Sequence, residues 1–573
     1  MGISAAIFES AGKRTEHYIP GVYSRSQNVS SPSGVSAGNY VILGKSQGGK
    51  PYELMSFNSV SEAKDVLIGG DLLRALSYAF SPSSVYSPQK VYAMRVNEGK
   101  QATLKLKSGS NELLELTSWD YGSHTNQLKV WLQNGTKENS LKLDVTYKND
   151  SYVTDNIIQE SLSILYTGTG TNPIATIANG KLSLSATSGT DTVDNFEIVL
   201  DDYPTLSELA TKINDLGVYV SSVLDANIDA ESTKLDNVTA VSIADDTVFY
   251  SNFFALVKVL ENNIYISDVN ILTENYIVPD VSSVYEYFTG GENGNYTTEQ
   301  WIKALAQLEV EDIQIISTPS TDQGVQTLIA SHCELMSNET NRKERTCILG
   351  CSLNQSDEDS KEIAKGFNSK YVSYIPDSAI AINPLTGKKE EISGAILAVM
   401  LSSMESSIAI NEPLTNKVIK VLGFTKKRTN TNIEDLLKNG LMVCNANPQN
   451  ANEYICIRAL TTFQGNDDLI SCERSMVRED LYMNRDLRSK FAVGIGRPGE
   501  VSTSDVIQTL QDTAKTWATN GYIIPNNGQN VWNIHVKVVG DKCYLSFSRY
   551  LTAPLNFMFI TATNRVYDST IQL

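Results

Sequence analysis

Histidine is scarce in this chain: there are four among 573 residues, at positions 17, 124, 332 and 535. None stands at HExxH, HxH or HxxxH spacing, which leaves a catalytic or structural metal site without its usual ligands. Cysteine is absent before Cys333. The seven that follow are odd in number and contain no CxxC pair, excluding a disulfide framework and a zinc ribbon. They read as small buried hydrophobes in a reducing compartment. Cations are outnumbered, 47 Lys and Arg against 65 Asp and Glu, giving a formal net charge of −18. Such a chain is repelled by phosphate backbones, so nucleic acid is not an expected direct partner. No run of 18 apolar residues exists to cross a bilayer. Met1 to Ala6 shows neither a secretory signal nor a myristoylation pattern, so assembly in the cytoplasm is expected.

What is present is enough apolar material for several cores, 41% of residues. Residues 1–39 read as an arm. Ile3, Ala5 and Ile7 alternate with a strand's period, then Pro20-Gly21 punctuates a Ser/Gly/Asn-rich stretch. Residues 40–98 read as strand, helices and strand: Tyr40–Leu43, a helix capped by Ser61, a helix from Asp71, and Val91–Val96. Residues 99–275 change to short strands between polar turns, with one helix at Thr205–Leu216, and are expected to be a β-rich insertion. From 276 to 423 strands alternate with helices, opening on a Thr297/Gln300 capping box and a helix bearing Trp301 and Leu305. This order predicts stacked βαβ units on a parallel sheet. Residues 424–561 read as a mixed α+β domain. It holds a polar helix over Met476–Lys490, a helix over Asp505–Ala518, and a meander of Ile534–Val539, Tyr544–Ser548 and Phe557–Thr561. Residues 562–573 form a polar tail. The expected class is thus α/β and α+β, multidomain.

Three strings hint at chemistry and each has a plainer reading. Gly34-Val35-Ser36-Ala37-Gly38 matches GxSxG, but a nucleophile elbow needs a strand before it and a helix after it, the reverse of this context. Gly290, Gly291 and Gly294 form a glycine loop ahead of a helix, but no Lys-Ser/Thr follows and Glu292 would repel an anion. His332 and Cys333 are neighbours on a helix, where adjacent side chains diverge by about 100°. The acid pairs Asp201-Asp202 and Asp245-Asp246 read as solvated turns. No catalytic, cofactor or metal residue is assigned, and no enzymatic activity is expected.

Three stretches together resemble the contractile-tail sheath family. The first is Pro20-Gly21-Val22-Tyr23 followed by Tyr40-Val41-Ile42-Leu43-Gly44. The second is Phe288-Thr289-Gly290-Gly291, Gly294, Thr298 and Trp301, with Cys347-Ile348-Leu349-Gly350 after it. The third is the Ile433–Gly440 helix end, Arg458-Ala459-Leu460-Thr461-Thr462, and Met476-Val477-Arg478-Glu479-Asp480. Gly122 to Val130 is similar to a further family segment, with Thr125 where that segment has glycine.

The resemblance implies a subtilisin-like domain in fold only, since the protease motifs are absent. It also implies a C-terminal domain facing an inner tube and an outward-facing insertion. It implies a subunit of a helical homopolymer, built as stacked hexameric rings, that contracts to drive a tube through a cell envelope. Its partners would be copies of itself, the inner tail tube protein, and baseplate and terminator proteins. It would act within a virion tail, without cofactor, nucleic acid or membrane insertion. Inter-subunit strand contacts are expected at Ile3, Ala5, Ile7, Pro20, Gly21, Val22, Tyr23, Phe557 and Phe559, and inner-tube contacts at Arg485, Arg488 and Lys490. The competing reading is an adhesin whose β insertion recognises carbohydrate.

Overall fold

The computed structural model describes residues 6–10, 13–17, 38–465, 468–492, 495 and 502–564. At its centre is a six-stranded sheet in the order Val372–Ile375, Thr346–Gly350, Ile315–Ser317, Tyr40–Gly44, Val91–Arg95, Leu54–Phe57. Four of its five pairings are parallel and the last, between Val91–Arg95 and Leu54–Phe57, is antiparallel. Alternate residues feed two cores. Tyr40, Ile42, Ala93, Ile315 and Ile348 pack with helices Asp71–Ala79 and Gly394–Ser407, while Val41, Leu43, Met94, Ile316 and Leu349 pack with Thr298–Leu308 and Gln323–Met336. A strand buried on both faces needs apolar residues throughout, which is why Tyr40–Leu43 has no polar alternation.

Between Arg95 and Thr298 the chain builds two further cores. The nearer joins the sheet Ile266–Ile271, Asn111–Tyr121, Gln101–Ser108 to the sheet Asp150–Ile157, Leu141–Tyr147, Leu128–Asn134, Glu286–Tyr287, with helix Asn252–Glu261 packed among them. That helix was not foreseen: its run Phe253 to Leu260 is nearly all apolar and shows no polar face. The farther core uses residues 162–249 alone: two antiparallel sheets of three and four strands and the helix Leu206–Asn214.

After Ser407 two small sheets lead into helices Asn430–Lys438, Arg474–Ala492 and Thr503–Thr519. Met483, Leu510, Ala514, Trp517 and Ile523 form the last core. Two expectations fail here. The meander is a two-stranded hairpin, Trp532–Val539 with Lys542–Ser548, and Phe557–Thr561 is no strand. Also, while five cysteines are buried, Cys472 is half-buried and Cys543 is exposed on the hairpin.

Candidate functional site

The features that could join one copy to another lie at the end of the chain. The hairpin Trp532–Val539/Lys542–Ser548 pairs only with itself among the described residues, so both outer edges leave backbone N–H and C=O groups unpaired. Isolated two-stranded hairpins are marginal in water, and this one rests on helix Thr503–Thr519 through Ile534, Leu545 and Phe547. Beyond it Tyr550–Leu551 pairs with Ile523–Ile524, and Thr552 is fixed by its N–H to Tyr522 O at 3.1 Å and its hydroxyl to Gly521 O at 2.7 Å. From there the backbone has no regular structure. Leu555, Phe557, Met558, Phe559 and Ile560 are 64–93% exposed, a contiguous apolar strip of a kind monomers rarely leave open. Phe557 and Phe559 stack at 6.4 Å on one side of the chain, the i, i+2 relation of extended backbone.

At the other end, Ala6–Ser10 pairs antiparallel with Lys13–His17, placing Ile7 opposite Glu16. The strand period expected at Ile7 is thus met by a partner within the arm itself. Ile3, Ala5, Pro20, Gly21, Val22 and Tyr23 lie outside the described residues.

Helix Arg474–Ala492 carries arginines at 474, 478, 485 and 488, spacings that keep them on one side. That side faces the central sheet. Arg474 is buried and donates twice to Glu405, at 2.8 and 2.7 Å, then to Thr346 Oγ1, Cys347 O and Ser373 Oγ. Arg478 donates to Glu405 O at 3.0 Å. Burial pushes the Glu405 carboxyl up, but the Arg474 and Arg478 guanidiniums outweigh it and hold Glu405 below the usual carboxylate range. Arg485 pairs with Asp312 at 2.5 Å and Arg488 pairs with Glu344. Two of the three residues expected at an inner tube are thus engaged with the loops that lead into the chain's own sheet, while Lys490 is exposed.

The glycine loop is structural. Asn126 Nδ2 donates to Gly291 O at 2.9 Å and Asn126 Oδ1 accepts from Gly291 N at 2.8 Å. A Cβ on Gly294, at φ +76°, would sit 1.5 Å from Glu98 O. Beneath the loop the fully buried Arg95 donates to the carbonyls of Gly49, Asn97, Tyr121 and Asn293, tying the first strands of the sheet to the start of the insertion. The strings Gly122–Asn126 and Phe288–Gly294, far apart in sequence, therefore close one junction.

The other candidate chemistry does not converge. His332 Nε2 accepts from Arg345 at 2.7 Å. Burial first and Arg345 second push its pKa down to about 3, so it is neutral. Cys333 lies in the core. Of the GxSxG string only Gly38 is described. A cleft of about 440 Å³ opens at the carboxyl ends of Tyr40–Gly44 and Ile315–Ser317, but its one cation, Lys45, is held by Asp71 at 3.2 Å and the Tyr296 ring at 4.0 Å. Among the described residues no group of three His, Cys, Asp or Glu could hold a metal ion, and no helix is long and apolar enough to cross a membrane.

Comparison with known proteins gives a consistent picture. No protein-family model matches the chain. A tail sheath protein of Staphylococcus phage Twort is 26% identical over 487 residues, covering 78% of this chain and 80% of that protein. A tail sheath protein of Bacillus phage SP01 is 24% identical over 546 residues, 91% and 90% of the two chains. Among solved structures, the sheath tail protein of Desulfitobacterium hafniense superposes with a TM-score of 0.52 at 13% identity, over 93% of this chain and all of that one. The sheath tail protein of Listeria innocua does so at 0.52 and 12%, over 90% and 95%. The chain shares its mixed α/β multidomain fold with these sheath proteins, and its sequence resembles tail sheath proteins over most of its length.

Proposed function

We propose that the chain is the structural subunit of a contractile phage-type tail sheath, polymerising helically around an inner tube and contracting to drive that tube through a cell envelope. The observation that carries this reading is the apolar strip Leu555–Ile560, extended and unpaired, on the same domain as a hairpin open at both edges. A strand from one copy added to the hairpin of the next satisfies both. Donor and acceptor are different surfaces, so the contact is heterologous and generates an open helix wherever the rotation between copies does not close into a ring. The N-terminal arm, with Ile3, Ala5, Ile7 and Pro20 to Tyr23, would supply a second such strand. The central sheet is the domain that corresponds to the subtilisin-like fold of sheaths. The inner tube would meet the C-terminal domain near Arg488 and Lys490, with Arg485 acting at the internal seam. Baseplate and terminator proteins would cap the polymer, in a virion tail assembled in the host cytoplasm.

Negative-stain microscopy of the purified protein tests this: hollow tubes are expected, and monodisperse monomer at high concentration over a range of salt would overturn it.

A further inference from the structure

The farther lobe of the insertion is set apart in three ways. It has its own core, made only of residues 162–249. It joins the rest of the insertion at two chain crossings bound by a polar neck. There Asp236 accepts from the amides of Asn252 and Phe253 at 2.8 and 2.9 Å, Asn252 Oδ1 accepts from Gln159 N at 2.8 Å, and the Ser161 and Ser251 hydroxyls meet at 2.8 Å. And it carries most of the protein's net charge. Residues 160–250 hold fourteen Asp and Glu against three lysines, with no arginine or histidine, a net charge of −11. The other 482 residues share the remaining −7.

The neck rules out a loose tether. Its buried hydrogen bonds fix the lobe to the nearer core, so its charge is presented from a defined direction. The donor strip, the open hairpin and the arginine seam all belong to the C-terminal domain, on another core. Association therefore need not bury the acidic surface. Like charges repel over a Debye length, about 8 Å at physiological salt and about 30 Å at 0.01 M, and net charge far from zero keeps proteins apart in solution.

We propose that the lobe formed by residues 160–250 is an electrostatic spacer, repelling the same lobe on other assemblies so that polymers joined end to end by their C-terminal domains do not also stick side by side. This rests on the polymer reading above. Polymerisation itself is specified by strand pairing; the lobe suppresses the competing lateral contact, as charged surfaces do against non-specific association.

The test compares the unaltered full chain with a variant carrying D201N, D202N, D215N, D229N, D245N and D246N. All six side chains are exposed and lie outside the neck. Circular dichroism first confirms that the variant folds. Tubes of the unaltered chain should stay dispersed at about 0.01 M salt, where repulsion is long-ranged, and gather into bundles as salt is raised and the repulsion is screened. The variant should bundle already at low salt, with light scattering raised several-fold. Variant tubes as dispersed as the unaltered ones at every salt would overturn the spacer. If the unaltered chain forms no tubes, the polymer reading fails instead. The lobe is then judged on soluble protein: the second virial coefficient at low salt should fall in the variant, and an unchanged coefficient overturns it.

Discussion

The central sheet and the terminal hairpin are both built from short strands, yet they end in opposite conditions. The sheet has helices on both faces, its Val372 edge takes the Thr462 N–H at 2.8 Å, and the amino ends of its strands receive the Arg474 guanidinium. The hairpin has two strands, largely exposed faces and two open edges, and five exposed apolar residues follow it, of which Phe557 meets the Arg458 guanidinium at 5.5 Å. One region has completed its bonding within the chain save along the short Leu54–Phe57 edge; the other has left most of it to be completed elsewhere. Subunits that must slide as rigid bodies while staying tethered need both conditions in one molecule.

The largest break in this contrast comes from deleting residues 553–573. The last core closes before them, with Ile523, Val531 and Leu551, so the truncated chain should fold with an unchanged circular dichroism spectrum. It should form no tubes. Normal tubes would mean that the donor strand lies elsewhere, and deletion of residues 1–24 would then be the informative variant.

The next effect falls on the satisfied side. Arg474→Ala leaves the buried Glu405 carboxylate only the longer ion pair to Arg478 at 3.7 Å, and removing one partner of a buried pair costs about 3–5 kcal/mol. A clear fall in the urea midpoint is expected, larger than for Arg485→Ala, whose partner Asp312 is half-exposed and for which exposed-pair values of about 0.2–1 kcal/mol apply. Equal losses would mean that the seam has no buried anchor. A smaller effect again is expected from Phe557→Ser with Phe559→Ser. Both rings are exposed, so stability should move by less than about 0.5 kcal/mol, while the critical concentration for polymerisation, read by sedimentation, rises several-fold.

Much of the satisfied region was legible in the sequence because its signals are local. The Thr297/Gln300 capping box is present as read, and helix Gln323–Met336 is opened by the same kind of local signal, Asp322 accepting from Val325 N at 3.0 Å. The helix given to Ser61 begins instead after Ser59, whose side chain accepts from Glu62 N. Two serines at nearly equal register made the nearer one to the apolar run look right. What could not be read is what joins distant positions. Arg474 and Glu405 are 69 residues apart, and neither position shows that the other will bury it. Phe557–Thr561 was misread for a different reason. It is a short apolar run such as a strand carries, but no partner strand lies among the described residues, and such a run reports surface to be buried without saying against what.

Whether the contrast holds at the root of the terminal segment is tested at Glu479. Glu479 is fully buried, and its carboxylate meets no side-chain donor, only the backbone of Thr552. It faces Arg478 on its own helix, Arg549 before strand Tyr550–Leu551, and Tyr522 across from them. Burial dominates, and pushes its pKa up to about 8 against the weaker pull of Arg478 and Arg549. A carboxyl that ionises near 4.5 when unfolded and near 8 when folded is protonated more readily in the native state. Between those values the folded chain binds the extra proton, so this group's contribution to stability falls as pH rises and levels off above about 8. Glu479→Gln keeps the shape and removes the titration. The variant should match the unaltered chain near pH 4.5 and exceed it progressively up to pH 8, measured as the difference in urea midpoint for unfolding of the C-terminal domain. A difference that stays flat with pH would show that Glu479 is ionised in the folded chain and paired with Arg478 or Arg549, which would make this root part of the satisfied seam.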